Sequence, residues 1–180
     1  MNRFADAERF RILFRAAHPD VLRFVLRRTS PDLAEDVVAE TFLVAWRRVA
    51  DLPVALDDAR AWLFGIARNQ LLNAHRGARR QDALAVRLAG AAALGGGVTP
   101  DAADAAVGRL DVAQAWHRLP AADQEVLALT VFEQLTSGQA AAVLGISPGA
   151  YRVRQSRARA ALRRHLGVAP ASPHLEEIHP

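Results

Sequence analysis

The sequence predicts an all-α protein, two small helical bundles joined by a flexible linker, and three observations carry that prediction. Ala, Leu and Val supply most of the apolar content, since the chain is 51% hydrophobic yet only 6% aromatic, and such a composition favours helix. Apolar residues recur at three- and four-residue spacing through most of the chain. The exception is LAGAAALGGGVTPDAADAAVG, 88–108, which has small residues and a glycine triplet where a packed element would show a pattern.

The elements follow in order. Phe10, Leu13, Phe14, Ala17, Val21, Phe24 and Val25 lie at helical spacing over 8–28, and His18-Pro19-Asp20 predicts a break in that helix. Ser30 and Pro31 mark a helix start, with Asp32, Glu35 and Asp36 complementing the positive end of its dipole, and the helix is expected to reach about 49. DLPVALDDA, 51–59, reads as a loop. A third helix, 60 to about 80, carries Trp62, Leu63, Ile66, Ala67, Gln70 and Leu71 on one stripe. After the linker come helices over about 111–119, 121–133 and 137–144, then an arginine-rich helix from Pro148. The tail GVAPASPHLEEIHP is expected to be disordered. The domains are therefore 1–80 and 109–166, with a linker at 81–108 and a tail at 167–180.

Composition also excludes. No stretch approaches the roughly 18 apolar residues that span a membrane, so no membrane insertion is expected, and MNRFADAERFRILF lacks the pattern of a signal peptide. With Cys 0 there is neither a disulfide framework nor a thiolate metal site. These point to a cytoplasmic protein. The six histidines are scattered, and no metal cluster, phosphate-cradling glycine loop or nucleophile motif accompanies them, so neither an enzyme nor a cofactor is expected.

Charge is unevenly placed. Residues 1–80 hold 14 Arg against 10 acids, and 109–166 hold eight Arg against four; the spacer and tail are both acidic. Two basic modules flanking an acidic tether suggest a shared polyanionic partner. All 23 basic residues are Arg, which a GC-rich genome explains without chemistry.

The densest block is LGISPGAYRVRQSRARAALRR, 144–164. Thr136 caps one helix, Gly145 suits the left-handed turn that ends it, and Ser147-Pro148 opens the next; this is helix-turn-helix spacing, with small Ala141 at the crossing. Turning by about 100° per residue puts Tyr151, Gln155, Ala158 and Leu162 on the packing stripe. The opposite face presents Arg152, Val153, Ser156 and Arg157, flanked by Arg154 and Arg159. Only Asp111, Asp123, Glu125 and Glu133 offer counter-charge from the neighbouring helices, so DNA phosphate is the expected partner, with the exposed N-terminal half reaching base edges in the major groove.

The chain resembles the bacterial extracytoplasmic-function (ECF) sigma factors, the smallest members of the housekeeping sigma family, over nearly all of 10–166. DLAEDVVAETFLVAWRRV resembles the family's clamp-binding helix, ARAWLFGIARNQLLNAHRGARR its promoter-melting helix, and LPAADQEVLALTVFEQLTSGQAAAVLGISPGAYRVRQSRARAALRRHL its C-terminal domain. The resemblance implies a protein that binds core RNA polymerase, through the largest-subunit clamp coiled coil and the flap region, and that recognises and melts promoter DNA. It implies clamp contacts from Asp36, Ala39, Glu40 and Leu43, which share a helix face. It implies a flipped minus-ten base read by Asn69, with Phe64 and Ile66 lining the approach and Arg68, Arg76, Arg79 and Arg80 on phosphates. It implies minus-thirty-five contacts from Arg152, Val153, Arg154, Ser156, Arg157 and Arg159. An anti-sigma factor wedged between the domains is the implied regulator.

The chain departs from the family pattern at several places. Ala39 stands where Gln is usual, Gln139-Ala140 where Glu-Ile is usual, Ala150-Tyr151 for Thr-Val, and Gln155 for Leu. A buried Gln155 needs hydrogen-bond partners. The rival reading is a helix-turn-helix regulator that never touches polymerase; it leaves the pattern over 31–80 unused.

Overall fold

The computed structural model describes residues 3–88 and 105–167, with side chains over 4–76 and 111–167. Seven α-helices and one short 3-10 turn, and no strand, make up the described residues: α1 (Arg3–Leu26), α2 (Pro31–Arg47), the turn Val49–Asp51, α3 (Leu56–Leu88), α4 (Ala105–His117), α5 (Ala121–Val131), α6 (Ser137–Leu144) and α7 (Pro148–His165). The fold is all-helical, as the composition predicts.

Two expectations are corrected. The first helix does not break at His18-Pro19-Asp20, because α1 runs straight through Pro19. Leu13 and Ala17 before the proline, and Val21, Phe24 and Val25 after it, are all buried on one stripe. Burial on both sides holds the helix together, while Pro19 sits on the exposed side where the carbonyl it leaves unbonded can meet water. The 51–59 loop is shorter than expected: α3 begins at Leu56, with Asp57 and Asp58 in its first turn favouring the positive end of the dipole. At its other end α3 continues to Leu88, and α4 opens at Ala105; the expected linker 81–108 lies between the two helical modules. Its middle, 89–104, and tail residues 168–180 lie outside the described residues.

α1, α2 and α3 pack around Val21, Phe24, Val25, Val37, Val38, Phe42, Leu63, Phe64 and Ala67. Buried Thr41 satisfies its hydroxyl by donating to the Val37 carbonyl at 2.7 Å. The C-terminal helices do not form a wholly separate core. Leu129, Leu135, Ala140, Ala141, Val143 and Tyr151 belong to the same continuous buried cluster as the N-terminal helices, and only Leu119, Leu127, Ala158 and Ala161 form a second, smaller one. The link is α6 lying along α3. A methyl group on Gly65 would come within 3.9 Å of the Val143 Cα, ordinary van der Waals contact, so the two helices approach closely there.

Polar groups tie the halves together as well. Glu133, its side chain 2% exposed, pairs with Arg27 and with Arg28. Arg60 donates to the Glu133 carbonyl at 3.1 Å and to Asp20 at 3.0 Å. Arg68 makes a two-pronged pair with Glu125 at 2.7 and 3.2 Å, and Gln139 donates to Asp58 at 2.9 Å. Burial pulls the Arg28 guanidinium below its ordinary value against the charge of Glu133, but an arginine remains protonated at neutral pH.

Candidate nucleic-acid interface

The helix-turn-helix is built from local signals. Thr136 and Gln139 form a capping box: the Thr136 hydroxyl accepts from the Gln139 N–H, and the Gln139 side chain accepts from the Thr136 N–H. Gly145 ends α6 at φ +66°, a left-handed conformation that costs glycine nothing. Ser147 then caps α7 by accepting from the Ala150 N–H at 3.2 Å, with Pro148 in the first turn.

Tyr151, Gln155 and Ala158 are buried and Leu162 half-buried, the stripe the spacing predicts. The departure at Gln155 has its partners. Gln155 donates to the Thr130 hydroxyl at 2.6 Å, and Tyr151 donates to the Val126 carbonyl at 2.7 Å. The single Tyr151 proton is therefore engaged, so Thr130, 2.7 Å away, donates to the Tyr151 oxygen. Each donor in this relay is used once, and Tyr151 and Gln155 are complementary parts of one network joining α7 to α5. Burial raises the Tyr151 phenol above its ordinary value, opposed by the Thr130 hydrogen bond and by the charge of Arg159.

The relay fixes the rotation of α7 and so its outer face. Arg152, Val153, Arg154, Ser156, Arg157 and Arg159 are all exposed. Among the described residues no carboxylate pairs with any of these arginines. Of the four acids that could have neutralised them, Glu125 and Glu133 are held by arginines of the N-terminal half. A rigid helix with exposed arginines around Val153 and Ser156 fits the major groove: guanidinium groups suit guanine edges and phosphates, and Ser156 adds a small donor and acceptor.

On α3 the picture differs from the sequence reading. Phe64 does not line an approach for a base; it is fully buried and stacks on Phe24 at 4.9 Å. Ile66 is 5% exposed and reaches only the floor of the cleft beside it. These are the faces that three- and four-residue spacing assigns to the core once Leu63 and Ala67 are placed there. The cleft, about 530 Å³, is lined instead by Arg48, Pro53, Asp58, Trp62, Gly65 and exposed Asn69 on one side and by α6 on the other. Trp62 is half-buried, with the Arg48 guanidinium 5.6 Å from its ring centre. Arg9 steadies the loop before α3 by donating to the Leu52 carbonyl at 3.0 Å. Sequence reasoning missed Arg48 and the lining role of Trp62; the signal available was the i, i+4, i+7, i+11 run Asp58, Trp62, Gly65, Asn69 on one face of α3. Arg68 is paired with Glu125, and exposed Arg76 bonds within its own helix to Leu72 and Asn73. Arg79 and Arg80 lie in α3, but their side chains fall outside the described residues.

On α2, Asp36, Ala39, Glu40 and Leu43 are brought together on one exposed face. Ala39 forms part of the wall of a cleft of about 460 Å³ with Phe14, His18, Leu22, Glu35, Val38 and Phe42. An aromatic seam backs it: Phe14 meets Phe42 edge-on at 4.7 Å, and His18 stacks on Phe42 at 5.7 Å. Acids over an apolar cleft offer a partner helix both charge and a place for a side chain. Among the described residues no group of three or more His, Cys, Asp or Glu could hold a metal ion, and no helix is long and apolar enough to cross a membrane.

An arginine-faced helix-turn-helix at one end, and a long helix beside an acid-faced helix at the other, define a helical DNA-directed protein. Comparison with known proteins narrows this. The family descriptions "Sigma-70 region 2" and "Sigma-70, region 4" match residues 13–81 and 109–162. The chain is 34% identical over 171 residues to the ECF RNA polymerase sigma factor SigL of Mycobacterium tuberculosis, covering 91% of this chain and 94% of SigL. It is 36% identical over 141 residues to the RNA polymerase sigma factor CnrH of Cupriavidus metallidurans, covering 71% and 70%. Among solved structures, the sigma factor RpoE in complex with the anti-sigma factor NepR from Bartonella quintana matches with a TM-score of 0.67 at 26% identity, over 91% of this chain and 99% of that one. CnrH in complex with the cytosolic domain of CnrY matches with a TM-score of 0.53 at 26% identity, over 92% and 90%. This chain belongs to the ECF RNA polymerase sigma factors, and its role is in transcription initiation. The matches carry the ECF group and not the wider housekeeping label.

Proposed function

We propose that this protein binds core RNA polymerase through the acidic face of α2, places α7 in the major groove of the minus-thirty-five element, and opens the minus-ten element along α3. Residues 1–80 and 109–166 act as the two working modules. The observation that carries the reading is the outer face of α7, whose arginines have no carboxylate partner among the described residues while Glu125 and Glu133 are held elsewhere. Asp36 and Glu40 meet basic groups of the clamp, and Leu43 enters with them. The cleft beside Ala39 takes the place of the hydrogen bond a glutamine would make. Asn69 reads a flipped base, Trp62 and Ile66 form its surroundings, and Arg76, Arg79 and Arg80 meet phosphate.

Opening the duplex needs no bond-making by this chain. A factor that binds the exposed base only in the open state shifts the equilibrium by that difference in affinity, so the protein is read as a cytoplasmic non-enzyme and bond formation belongs to the polymerase. Both structural relatives were solved with a partner, NepR in one case and the cytosolic domain of CnrY in the other, which favours an anti-sigma partner here too. The test is association of the purified chain with bacterial core RNA polymerase, followed by run-off transcription on a genomic promoter library. Association and a discrete set of start sites are expected. DNA binding without association with an active core would contradict the reading and leave a plain helix-turn-helix regulator.

A further inference from the structure

We infer that the cleft between α1, α3 and α5 is a docking site for a segment of this same chain, the Leu-Glu-Glu-Ile stretch at 175–178, an assignment that goes beyond the proposed function and uses none of its contacts with polymerase or DNA.

The cleft combines apolar surface with excess positive charge. It encloses about 660 Å³, with Arg27, Arg28, Arg68 and His75 from α1 and α3 facing Trp116 and Phe132 from α4 and the end of α5. Leu72 on its edge and Phe132 are exposed, and half-buried Trp116 meets Phe132 edge-on at 5.8 Å. Three guanidinium groups meet only two carboxylates, since Arg27 and Arg28 share Glu133 while Arg68 takes Glu125. Arg27, its side chain 33% exposed and its guanidinium 5.4 Å from the Phe132 ring centre, is the cation left in excess. Exposed apolar surface beside an uncompensated guanidinium suits a short acidic segment with apolar flanks.

The chain supplies such a segment. Beyond Glu133 it has no acid until Glu176 and Glu177, and these lie between Leu175 and Ile178. The end of α7 lies close to the cleft, because Leu162 and Trp116 pack on the same small core. Gly167, at φ +66°, then turns the chain out of the helix. The eight residues from there to Leu175 can reach up to about 26 Å. The α7 arginines compete for the same acids, but Val153 is the only large apolar side chain exposed on that helix, so Leu175 and Ile178 gain little there. In the cleft the tail carboxylates answer Arg27 while Leu175 and Ile178 cover Trp116 and Leu72. A segment tethered this closely acts at an effective concentration on the order of millimolar, so a foreign acidic segment enters the cleft only by outcompeting it.

The chain lacks cysteine, so the full-length variant His174→Cys carries a single bimane label, whose emission tryptophan quenches on contact. Emission is expected to rise at least twofold when Trp116→Phe is added, and to rise likewise when E176Q and E177Q are added instead. The quenching should hold through a hundredfold dilution, because a tethered segment meets its site at constant effective concentration. Emission unchanged by Trp116→Phe would overturn the inference by placing the tail elsewhere, on α7 for one. Emission unchanged by E176Q and E177Q would overturn it by showing that the label, not the acids, seeks the tryptophan; these two substitutions lie in the tail, so this comparison decides the matter even if Trp116→Phe fails to fold. Quenching that fades on dilution would overturn it in favour of a second copy of the chain. Polymerase and DNA are absent from every readout, so failure here leaves the proposed function standing.

Discussion

The arginines of the N-terminal helices and those of α7 are the same residue carrying the same charge, yet the fold treats them differently. Arg28, Arg60 and Arg68 are half-buried, and they and the more exposed Arg27 are answered by Glu133, Asp20, Glu125 or a backbone carbonyl. Arg152, Arg154, Arg157 and Arg159 stand exposed, with no carboxylate on them among the described residues. A charge run is therefore informative only once the protein's own acids have been assigned. Here the last two acids before α7 in sequence, Glu125 and Glu133, are engaged by the other half of the molecule, and that leaves the exposed arginines of α7 to an external polyanion.

Removing the internal partner should produce the largest effect. Glu133→Ala leaves Arg27 and Arg28 without their anion in a poorly solvated seam, and breaking such a buried pair costs about 3–5 kcal/mol. We expect the halves to separate, read as faster hydrogen exchange in α6 and along 60–69 of α3, with α7 keeping its own protection. Equal exchange in variant and parent would remove Glu133 from its role. The relay beneath α7 comes next. Tyr151→Phe leaves the Val126 carbonyl and the Thr130 hydroxyl short of a partner and should cost about 1–3 kcal/mol in chemical denaturation; a neutral result would mean that water replaces the phenol.

External contacts should act differently. Asp36→Arg should abolish association with core polymerase and leave the melting temperature within a few degrees, and unchanged association would remove α2 as the docking face. Arg152→Ala should cost about 1–3 kcal/mol at one promoter position if Arg152 reads a guanine, and should weaken all sequences alike if it meets phosphate. Competition binding over a randomised minus-thirty-five element separates the two. The smallest effect concerns alkaline pH. Tyr151 has a folded-state value above its ordinary one because it is buried, so its contribution to stability is complete below the unfolded value of about 10 and is lost as pH rises through the raised value. Denaturation midpoints should fall over that range, and Tyr151→Phe should flatten the fall.

The legible parts of the sequence were those decided locally. Thr136, Gly145, Ser147 and Pro148 dictate caps and a turn within a few residues, and α6 and α7 begin and end there. The acid face of α2 follows from periodicity alone. What stayed hidden depends on distant partners. Pro19 fails to break α1 because the buried stripe on both sides outweighs one lost hydrogen bond. Phe64 and Ile66 looked available for DNA because the face of α3 could be judged only after its neighbours were known. Glu133 reads as an ordinary acid at the end of α5 until Arg27, 106 residues away in sequence, is brought against it. Gln155 looked like a flaw in a core stripe, and Thr130 makes it a fitted part.

The contrast between the two arginine sets is tested most directly by the salt dependence of duplex binding. Each phosphate neutralised by a protein cation contributes close to one unit to the slope of log affinity against log salt concentration. Arg157→Gln on α7 should lower that slope by about one, and Arg27→Gln in the seam should leave it unchanged. The reverse pattern, a slope that depends on Arg27 and ignores Arg157, would contradict the assignment of α7 to DNA and of the seam to the protein itself.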